Sequence, residues 1–557
     1  LKHLIKGIFR ILRKTEKTKV FRLIIFDLLI TVLDVGFLAA LLLIINFYTQ
    51  RNTINTPVIL PDVFADKNSL SLIGVFLLLF AIKNTFGFLA QKAQHHYFYG
   101  VASRLSKKNI LHYLRGDYGA FVNINSAIHT RRISNQPIEF SHYILNNFQQ
   151  VVSQSAMVLF MVMGILLYHP ALFLILFGLL LPPMLMLNWF IKKKLKALRT
   201  QIKVINQKVI QHLNESLAGY VESNMYGKHD FFSGRYFNYQ QQLNETIAEQ
   251  QTWQSLPARS MEVFAVAGFF ILIAVNKWAG NATGISVLTI GIFMAAAYKL
   301  IPGLVKIMNS AGQIKTYEFV LNDLLHNRTD AVISRAPANS PIGSVKFDGV
   351  TFSYKTQPVV NNLSFELLPG DLMGISADSG KGKTTIINLL LGFLKESTGT
   401  ISINNKALSA VERQQYRNHI SLIKQQPFFI HDTILKNITL ADDEPDRQRL
   451  QYVFNFCGLT PLLNKYPEGI NKTISENGRN LSGGQRQRII LARALYHNFD
   501  LLILDEPFSE MDTDAETELL TQLQQLAQQG KMIILITHNK ASLAFCSKVI
   551  LLSEQYV

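Results

Sequence analysis

The sequence predicts a six-span α-helical membrane domain followed by an α/β phosphate-loop ATPase domain. Three observations predict it. Apolar stretches long enough to cross a bilayer crowd the first 330 or so residues, the glycine-rich run Ala377 to Thr385 follows a short strand, and a later apolar run ends in Asp505-Glu506. Hydrophobic residues make up 48% of the 557-residue chain, which is high for a water-soluble protein, and the length allows several domains.

A net charge of +17 raises nucleic acid as a partner, but the address of the charge argues against it. Eight of the first 22 residues are basic, and Lys192, Lys193, Lys194, Lys196 and Arg199 close a hydrophobic run, so these cations flank membrane segments. The opening residues place Leu1, Leu4, Ile5, Ile8, Phe9 and Leu12 at helical spacing with lysine and arginine opposite. This predicts a basic amphipathic helix over 1–20 on the inner membrane surface. No uninterrupted apolar core with a small-residue cleavage site follows directly, which disfavours a secretory signal. Cys457 and Cys546 both fall in the ATPase half, where a reducing cytosol keeps them as thiols.

Within a transmembrane domain over 21–330, segments at about 21–47, 69–91, 148–168, 171–191, 258–279 and 283–308 each supply the roughly 20 apolar residues of a spanning helix. His169-Pro170 and Gly280-Asn281-Ala282 read as tight turns, whereas 92–147 and 192–257 are long and rich in lysine and arginine. Positive charge accumulates on the inner side, so the N-terminus, both long excursions and the C-terminus are expected in the cytoplasm. Spans two to five then continue as helices below the membrane. The outer loop 47–68 carries Pro57 and Pro61 and a short helix near Asp62 to Lys67. Bends are expected near Gly116-Asp117-Tyr118-Gly119 and between Glu222 and Asp230, placed to dock onto the ATPase. From 331 to 343 the composition turns to Ala, Pro, Ser and Asn, the mark of a linker, and the ATPase domain occupies 344–557.

Beyond the linker, Val345 to Tyr354 alternates as a strand and Leu372 to Ser376 forms a second one feeding the glycine-rich loop. Leu501 to Leu504 and Met532 to Ile536 read as buried parallel strands. A phosphate-binding loop needs backbone N–H groups converging at a helix N-terminus, a lysine for the β- and γ-phosphates and a hydroxyl for Mg2+. In Ala377-Asp378-Ser379-Gly380-Lys381-Gly382-Lys383-Thr384-Thr385, Gly380, Gly382, Lys383 and Thr384 fill these roles for ATP, and Ala377 replaces the usual first glycine. Asp505, at the end of its strand, is placed to hold the magnesium ion, and Glu506 to orient or deprotonate the attacking water.

With these residues in view the chain resembles the ABC transporter family. Leu481-Ser482-Gly483-Gly484-Gln485 matches the family signature, which implies contact with the ATP held by a partner subunit. The resemblance implies a nucleotide-binding domain with a helical subdomain, working in a dimer of two copies or with a related half-transporter. It places Tyr354 on the adenine, Gln425 at the magnesium and γ-phosphate with Gln426 as the alternative, Ser509 and Asp512 on the loop crossing the dimer, and His538 as the switch histidine. Glu476-Asn477-Gly478 resembles the element by which exporters contact the membrane domain's bends. A membrane domain fused ahead of the ATPase looks like a bacterial exporter-type half-transporter of the inner membrane, with its ATPase in the cytoplasm.

Cargo is less legible. Ionisable residues within spans default to a functional reading. Asp27, Asp34, Lys83, Glu262 and Lys299 are therefore candidates for a cargo passage, the alternative being pairs that lock helices together. The spacing of the membrane half, including Leu114 to Asn125 and Tyr298 to Pro302, is diffusely similar to lipid-linked oligosaccharide flippases. Export of an amphipathic or lipid-linked cargo, export of processed peptides or drugs, and an ATP-gated channel or sensor all remain open.

Overall fold

The chain divides into two units, one of Leu1–Arg115 and Ile124–Val332, the other built on Ile333–Val557. The structure, a computed structural model, describes residues 2–49, 70–116, 126–168, 170–278, 287–326, 338, 340–354, 357–376 and 381–552.

The first unit is helical: α1 Lys2–Ile11, α2 Lys14–Thr49, α3 Ser71–Leu114, α4 Asn147–Tyr168, α5 Pro170–Ala218, α6 His229–Trp278, α7 Val287–Thr316 and α8 Glu318–His326. Helices α3, α5 and α6 contain 44, 49 and 50 residues. At 1.5 Å per residue they run about 65–75 Å, more than twice the roughly 30 Å hydrocarbon core, so a helix of this length that crosses a bilayer extends well beyond it. The bend expected between Glu222 and Asp230 is present: a short helix Tyr220–Met225 is followed by a turn at Gly227, whose φ is +59°, and α6 starts at His229. Gly219 sits at the same corner because a Cβ there would come within 2.9 Å of the Phe232 ring. The other expected bend, at Asp117 to Gly119, and the outer-loop helix at Asp62 to Lys67 lie outside the described residues.

The six-span expectation is met in part. Among the described residues three helices are long and apolar enough to cross a membrane: Lys14–Ile45, Ser71–Leu114 and Ile128–Leu167. The described residues of segments 171–191, 258–279 and 283–308 fall in α5, α6 and α7, many of whose apolar side chains lie outside the described set.

One reading of the sequence needs correction here. The amphipathic helix expected over 1–20 stops at Ile11, and its apolar face is covered by protein. Ile8, Ile11 and Leu12 are nearly fully buried in one cluster with Phe98 and Leu105 of α3 and Val320, Leu321 and Leu324 of α8. An apolar stripe shows that a face needs covering, without saying whether lipid or another helix covers it. The fit is close: a Cβ on Gly7 would lie 2.9 Å from Leu321 Cδ2. Gly7→Val should therefore overpack this joint and cost about 1–3 kcal/mol, seen as a lower unfolding midpoint of the purified protein; an unchanged midpoint would show that Leu321 yields freely. Just beyond, Glu16 anchors the start of α2 to α3 through Arg104, whose Nε and Nη2 donate at 2.5 and 2.9 Å.

Of the two readings left open for the intramembrane charges, pairing between helices is seen at one place. Lys83 of α3, 8% exposed, forms an ion pair with Asp34 of α2, and its ammonium lies 4.9 Å from the Phe80 ring centroid. These two cargo-passage candidates thus join helices to each other. Glu262 is exposed and pairs with Arg259 one turn away at 3.6 Å. Asp27 and Lys299 are half-buried.

The second unit holds two sheets. An antiparallel sheet in the order β2-β1-β4-β5 is built from β1 Val345–Tyr354, β2 Gln357–Leu367, β4 Thr398–Ile403 and β5 Lys406–Ala407. A parallel sheet in the order β6-β7-β8-β3-β9 is built from β3 Leu372–Ser376, β6 Ile420–Ile423, β7 Leu501–Asp505, β8 Met532–Ile536 and β9 Lys548–Leu551. Every residue of β7 and β8 is buried, as continuous apolar runs covered on both faces require. Helix α9, Lys383–Leu390, packs Ile386, Ile387, Leu389 and Leu390 into the core between the sheets. A second core holds α10 Ile434–Thr439 and α11 Gly483–Tyr496, which form the helical side of the unit, against the sheet and α12 Thr513–Gln528. The linker expected over 331–343 lies mostly outside the described residues, but its end is fixed: His419 and Gln415 bind Ala338, and Ile342 N donates to Asp500 Oδ2 at 3.0 Å.

Candidate nucleotide site

Three strand ends and one helix start place the expected residues of the site. Lys383 is the first residue of α9, entered from Gly382 at φ +83°; a Cβ on Gly382 would approach Val359 O to 2.9 Å, so only glycine fits this entry. Gln425 lies two residues past β6, Asp505 ends β7 with Glu506 directly after it, and His538 follows β8. In open α/β sheets ligands gather outside the carboxyl ends of the strands, and this clustering follows that rule.

The side chains converge on Glu506. Lys383 Nζ donates to its Oε1 at 2.6 Å, Gln425 Nε2 to its Oε2 at 2.8 Å, and His538 Nδ1 lies 3.6 Å from Oε1. Of the alternatives Gln425 and Gln426, the structure brings Gln425 to the site. Glu506 itself has φ +50°, a left-handed backbone that non-glycine residues rarely adopt, and its N–H donates to Ile536 O at 2.9 Å. The neighbouring β8 strand thus helps hold a strained residue in place.

The two adjacent carboxylates titrate in opposite directions. The Lys383 hydrogen bond, with its charge and that of His538, holds Glu506 below the usual carboxylate range despite its burial. Burial pushes Asp505 up, the Glu506 charge adds to this, and Lys383 only partly offsets it. For Glu506 the sign follows from its depressed folded value: the stability it contributes is present above the unfolded glutamate value of about 4.3 and is lost as pH falls through the folded value. Without nucleotide, wild-type protein should therefore lose more thermal stability between pH 5 and pH 3 than Glu506→Gln does. Parallel melting curves for the two proteins would refute this assignment.

Three residues with oxygen donors suited to Mg2+ lie on these elements: Asp505 at the end of β7, Thr384 in the first turn of α9 and Gln425 after β6. A single carboxylate completed by substrate phosphates is a usual arrangement for this ion. Among the described residues no group of three or more His, Cys, Asp or Glu forms a dedicated metal cage. Ala377, Asp378, Ser379 and Gly380 lie outside the described residues; Lys381 and Thr385 flank the lysine as expected, and Tyr354, 48% exposed, closes β1 with its ring 4.9 Å from Phe352.

A second group of expected residues assembles around the start of α11. Ser482 caps this helix, its hydroxyl accepting from Gln485 N while Gln485 Oε1 accepts from Ser482 N, the reciprocal box that fixes a helix start. Leu481 is buried beneath it. Gly483 and Gly484 leave room for Glu510: a Cβ on Gly483 would fall 2.0 Å from Glu510 Oε2. Arg486 donates to the same carboxylate at 2.8 Å and Gln487 to Ser509 Oγ at 3.0 Å, while Asp512 caps α12 through Ala515 N. The signature run and the Ser509–Asp512 loop are therefore joined, with Glu510 as the link between them.

Sequence reasoning missed Arg493 and Asn437. Arg493, on α11, donates to Asn437 O at 2.6 Å, Phe428 O at 2.7 Å and Asn437 Oδ1 at 3.1 Å, and burial lowers its pKa to about 10. Asn437, fully buried, in turn binds the backbone of Ile430 and Thr433. The segment that leaves Gln425 is thus tied to the signature helix. The signal for these residues was weak, an arginine in an otherwise apolar stretch of helix.

Comparison with known proteins gives matches to both units. The family model described as ABC transporter matches residues 360–509, and that of the ABC transporter transmembrane region matches 20–297. An ATP-dependent lipid A-core flippase of Saccharophagus degradans is 34% identical over 217 residues, 39% of this chain and 37% of that protein. A putative export ATP-binding/permease protein of Rickettsia typhi is 34% identical over 38% of this chain and 37% of its own length. The match to these curated relatives thus spans little more than a third of their length. A lipid A-core flippase of Burkholderia pseudomallei is 26% identical over 72% of this chain and 68% of its own. The structure of a bacterial Atm1-family ABC exporter with ATP bound aligns with a TM-score of 0.78 over 96% of this chain and 95% of that one; at 18% identity this likeness speaks for the fold.

Proposed function

This chain belongs to the ABC transporters, its membrane and ATPase parts matching the two family models in turn, and from that premise we propose that it is an ATP-driven exporter or flippase working by alternating access. The observation that carries the reading is the convergence of Lys383, Gln425 and His538 on Glu506 at the ends of buried strands. Lys383 is shared between the ATP phosphates and Glu506, so substrate phosphate competes for the cation that Glu506 holds. Glu506, freed from part of that pairing, orients the attacking water and takes its proton, and Gln425 and His538 position the water and the γ-phosphate. Mg2+ held by Thr384, Gln425 and Asp505 would supply charge neutralisation on the phosphates.

Each capped α11 start offers backbone N–H groups to phosphate, and pairing two chains lets the signature of one complete the nucleotide site of the other. A homodimer, or a dimer with a related half-transporter, would couple ATP binding to closure and hydrolysis to reopening. The inner membrane of a bacterium, with the ATPase unit in the cytoplasm and six spans per chain, is the setting this reading requires. Amphipathic or lipid-linked cargo is favoured because the relatives named as flippases move such molecules; lipid-linked oligosaccharide remains within that class. The test is ATP turnover of the purified protein in lipid against amphiphile concentration. Stimulation by an amphiphile is expected in wild type and its absence in Glu506→Gln; a flat response to lipids, peptides and dyes alike would overturn the transport reading.

A further inference from the structure

A cavity of about 450 Å³ opens beside the edge strand β6 of the ATPase unit, between that strand and the end of α11. The volume lies in the range of small-molecule sites, roughly 300–1,000 Å³. Lys383, Gln425, Glu506 and His538 take no part in its lining, so it is separate from the nucleotide site. Its walls are cationic: Arg417, Arg493 and His497 line it, and among the described residues no aspartate or glutamate does. The Arg417 guanidinium lies 4.0 Å from the Phe393 ring centroid and its Nε donates to Leu391 O at 2.9 Å, which fixes the plane of the fork. Arg493 is held as firmly by the bonds it gives to Asn437 and Phe428. A further arginine, Arg449, donates to Leu495 O at 3.4 Å and to Oδ1 of the lining residue Asn498, adding a third guanidinium at the rim.

The rest of the lining includes Leu422 of β6 and Leu440. Leu440 ends α10 in a left-handed conformation, φ +49°, at a position where helices commonly carry glycine. Its side chain is nonetheless 53% exposed. A leucine kept in an unfavourable backbone conformation, with half its side chain in water, gains little from the fold itself. An apolar body bound in the cavity would cover it.

We propose that this cavity is a second ligand site, one that takes a phosphate monoester with a small apolar body. Two arginine forks already fixed in place, a third beside them and no acid to neutralise them suit a doubly charged group better than a single carboxylate. The apolar body would lie over Leu422 and Leu440. An occupant would also touch Arg493, which ties the segment leaving Gln425 to the signature helix, and so would bear on the ATP cycle from outside the nucleotide site.

The experiment is calorimetric titration of the full chain in nanodiscs, with Mg2+ and ADP saturating the nucleotide site so that probe phosphate cannot enter there. The probes are phenyl phosphate, benzoate, inorganic phosphate and phenol. Phenyl phosphate is expected to bind once per chain with a dissociation constant of about 1 mM or tighter. Benzoate and inorganic phosphate should each bind about tenfold more weakly, and phenol not measurably. Arg417→Lys keeps the charge and loses the fork, and should weaken phenyl phosphate about tenfold, the worth of one charge-assisted hydrogen bond. Leu440→Gly should weaken it severalfold while raising the unfolding midpoint of the ligand-free protein, because glycine accepts the left-handed backbone. Recognition and fold then move in opposite directions, which a merely structural role for Leu440 would not produce. No binding of phenyl phosphate, equal binding of phenol, or an unchanged affinity in both variants would overturn the site. Tighter binding of benzoate would overturn the phosphate assignment, and equal binding of inorganic phosphate would overturn the apolar body.

Discussion

Glu506→Gln is expected to lower ATP turnover by about a hundredfold to ten-thousandfold, the usual worth of a positioned general base. Glutamine keeps the size and can still accept from Lys383, but it cannot take a proton from water. The prediction is specific to this residue because the structure gives Glu506 three polar partners and a left-handed backbone, φ +50°, that its side chain gains nothing from. Such a conformation costs about 1–3 kcal/mol and persists only where the surroundings impose it. Glu506→Gly should relieve that strain. The glycine variant is therefore expected to be no less stable than the glutamine variant on its backbone term, though it forfeits the Lys383 ion pair, and to be equally inactive. Turnover and unfolding midpoint measured on the same samples check both halves, and turnover within threefold of wild type in either variant would sink the assignment.

Arg413→Ala is expected to destabilise the ATPase unit by about 3–5 kcal/mol, the cost of breaking a buried ion pair by removing one member. Arg413 is completely buried. Its guanidinium donates to Leu389 O at 3.0 Å, Leu408 O at 2.6 Å, Leu394 O at 3.4 Å and both Glu396 oxygens at 3.3 and 2.6 Å. Burial pushes Glu396 up, but these bonds and its own backbone N–H hold it below the usual carboxylate range overall. Alanine would leave carbonyls and a carboxylate without donors. Lysine would restore the charge but not the planar fork, and should recover only part of the loss. Since Leu389 lies in α9, the helix that begins with Lys383, the variant should also weaken ATP affinity. A fall in the unfolding midpoint and faster proteolysis of the second unit are the readouts; an unchanged midpoint would mean that water replaces the guanidinium.

The α/β unit was legible because its signals are local. Leu501 to Leu504 and Met532 to Ile536 are apolar runs that only doubly covered strands explain, and both are wholly buried. The phosphate loop, the signature and the carboxylate pair carry their chemistry in contiguous residues, and Gln425, Glu506 and His538 meet as their order along the sheet implies. Arg413, Asn437 and Arg493 were not legible, because each acts through partners distant in sequence and belongs to no short pattern. The same reason explains the first unit: Asp34 and Lys83 are 49 residues apart, and nothing in either helix's sequence announces the other. The covering of α1 by α8 joins residues more than 300 positions apart, so the stripe on α1 showed only that it needed a partner.

The ion pair between Asp34 and Lys83 has a consequence for biogenesis. On the insertion scale, a lone aspartate or lysine at the centre of a helix costs about 2.5–3.5 kcal/mol. Asp34 of α2 and Lys83 of α3 are two such residues, of opposite sign. A hairpin of the two helices enters the bilayer with this pair already neutralised, which neither helix achieves alone.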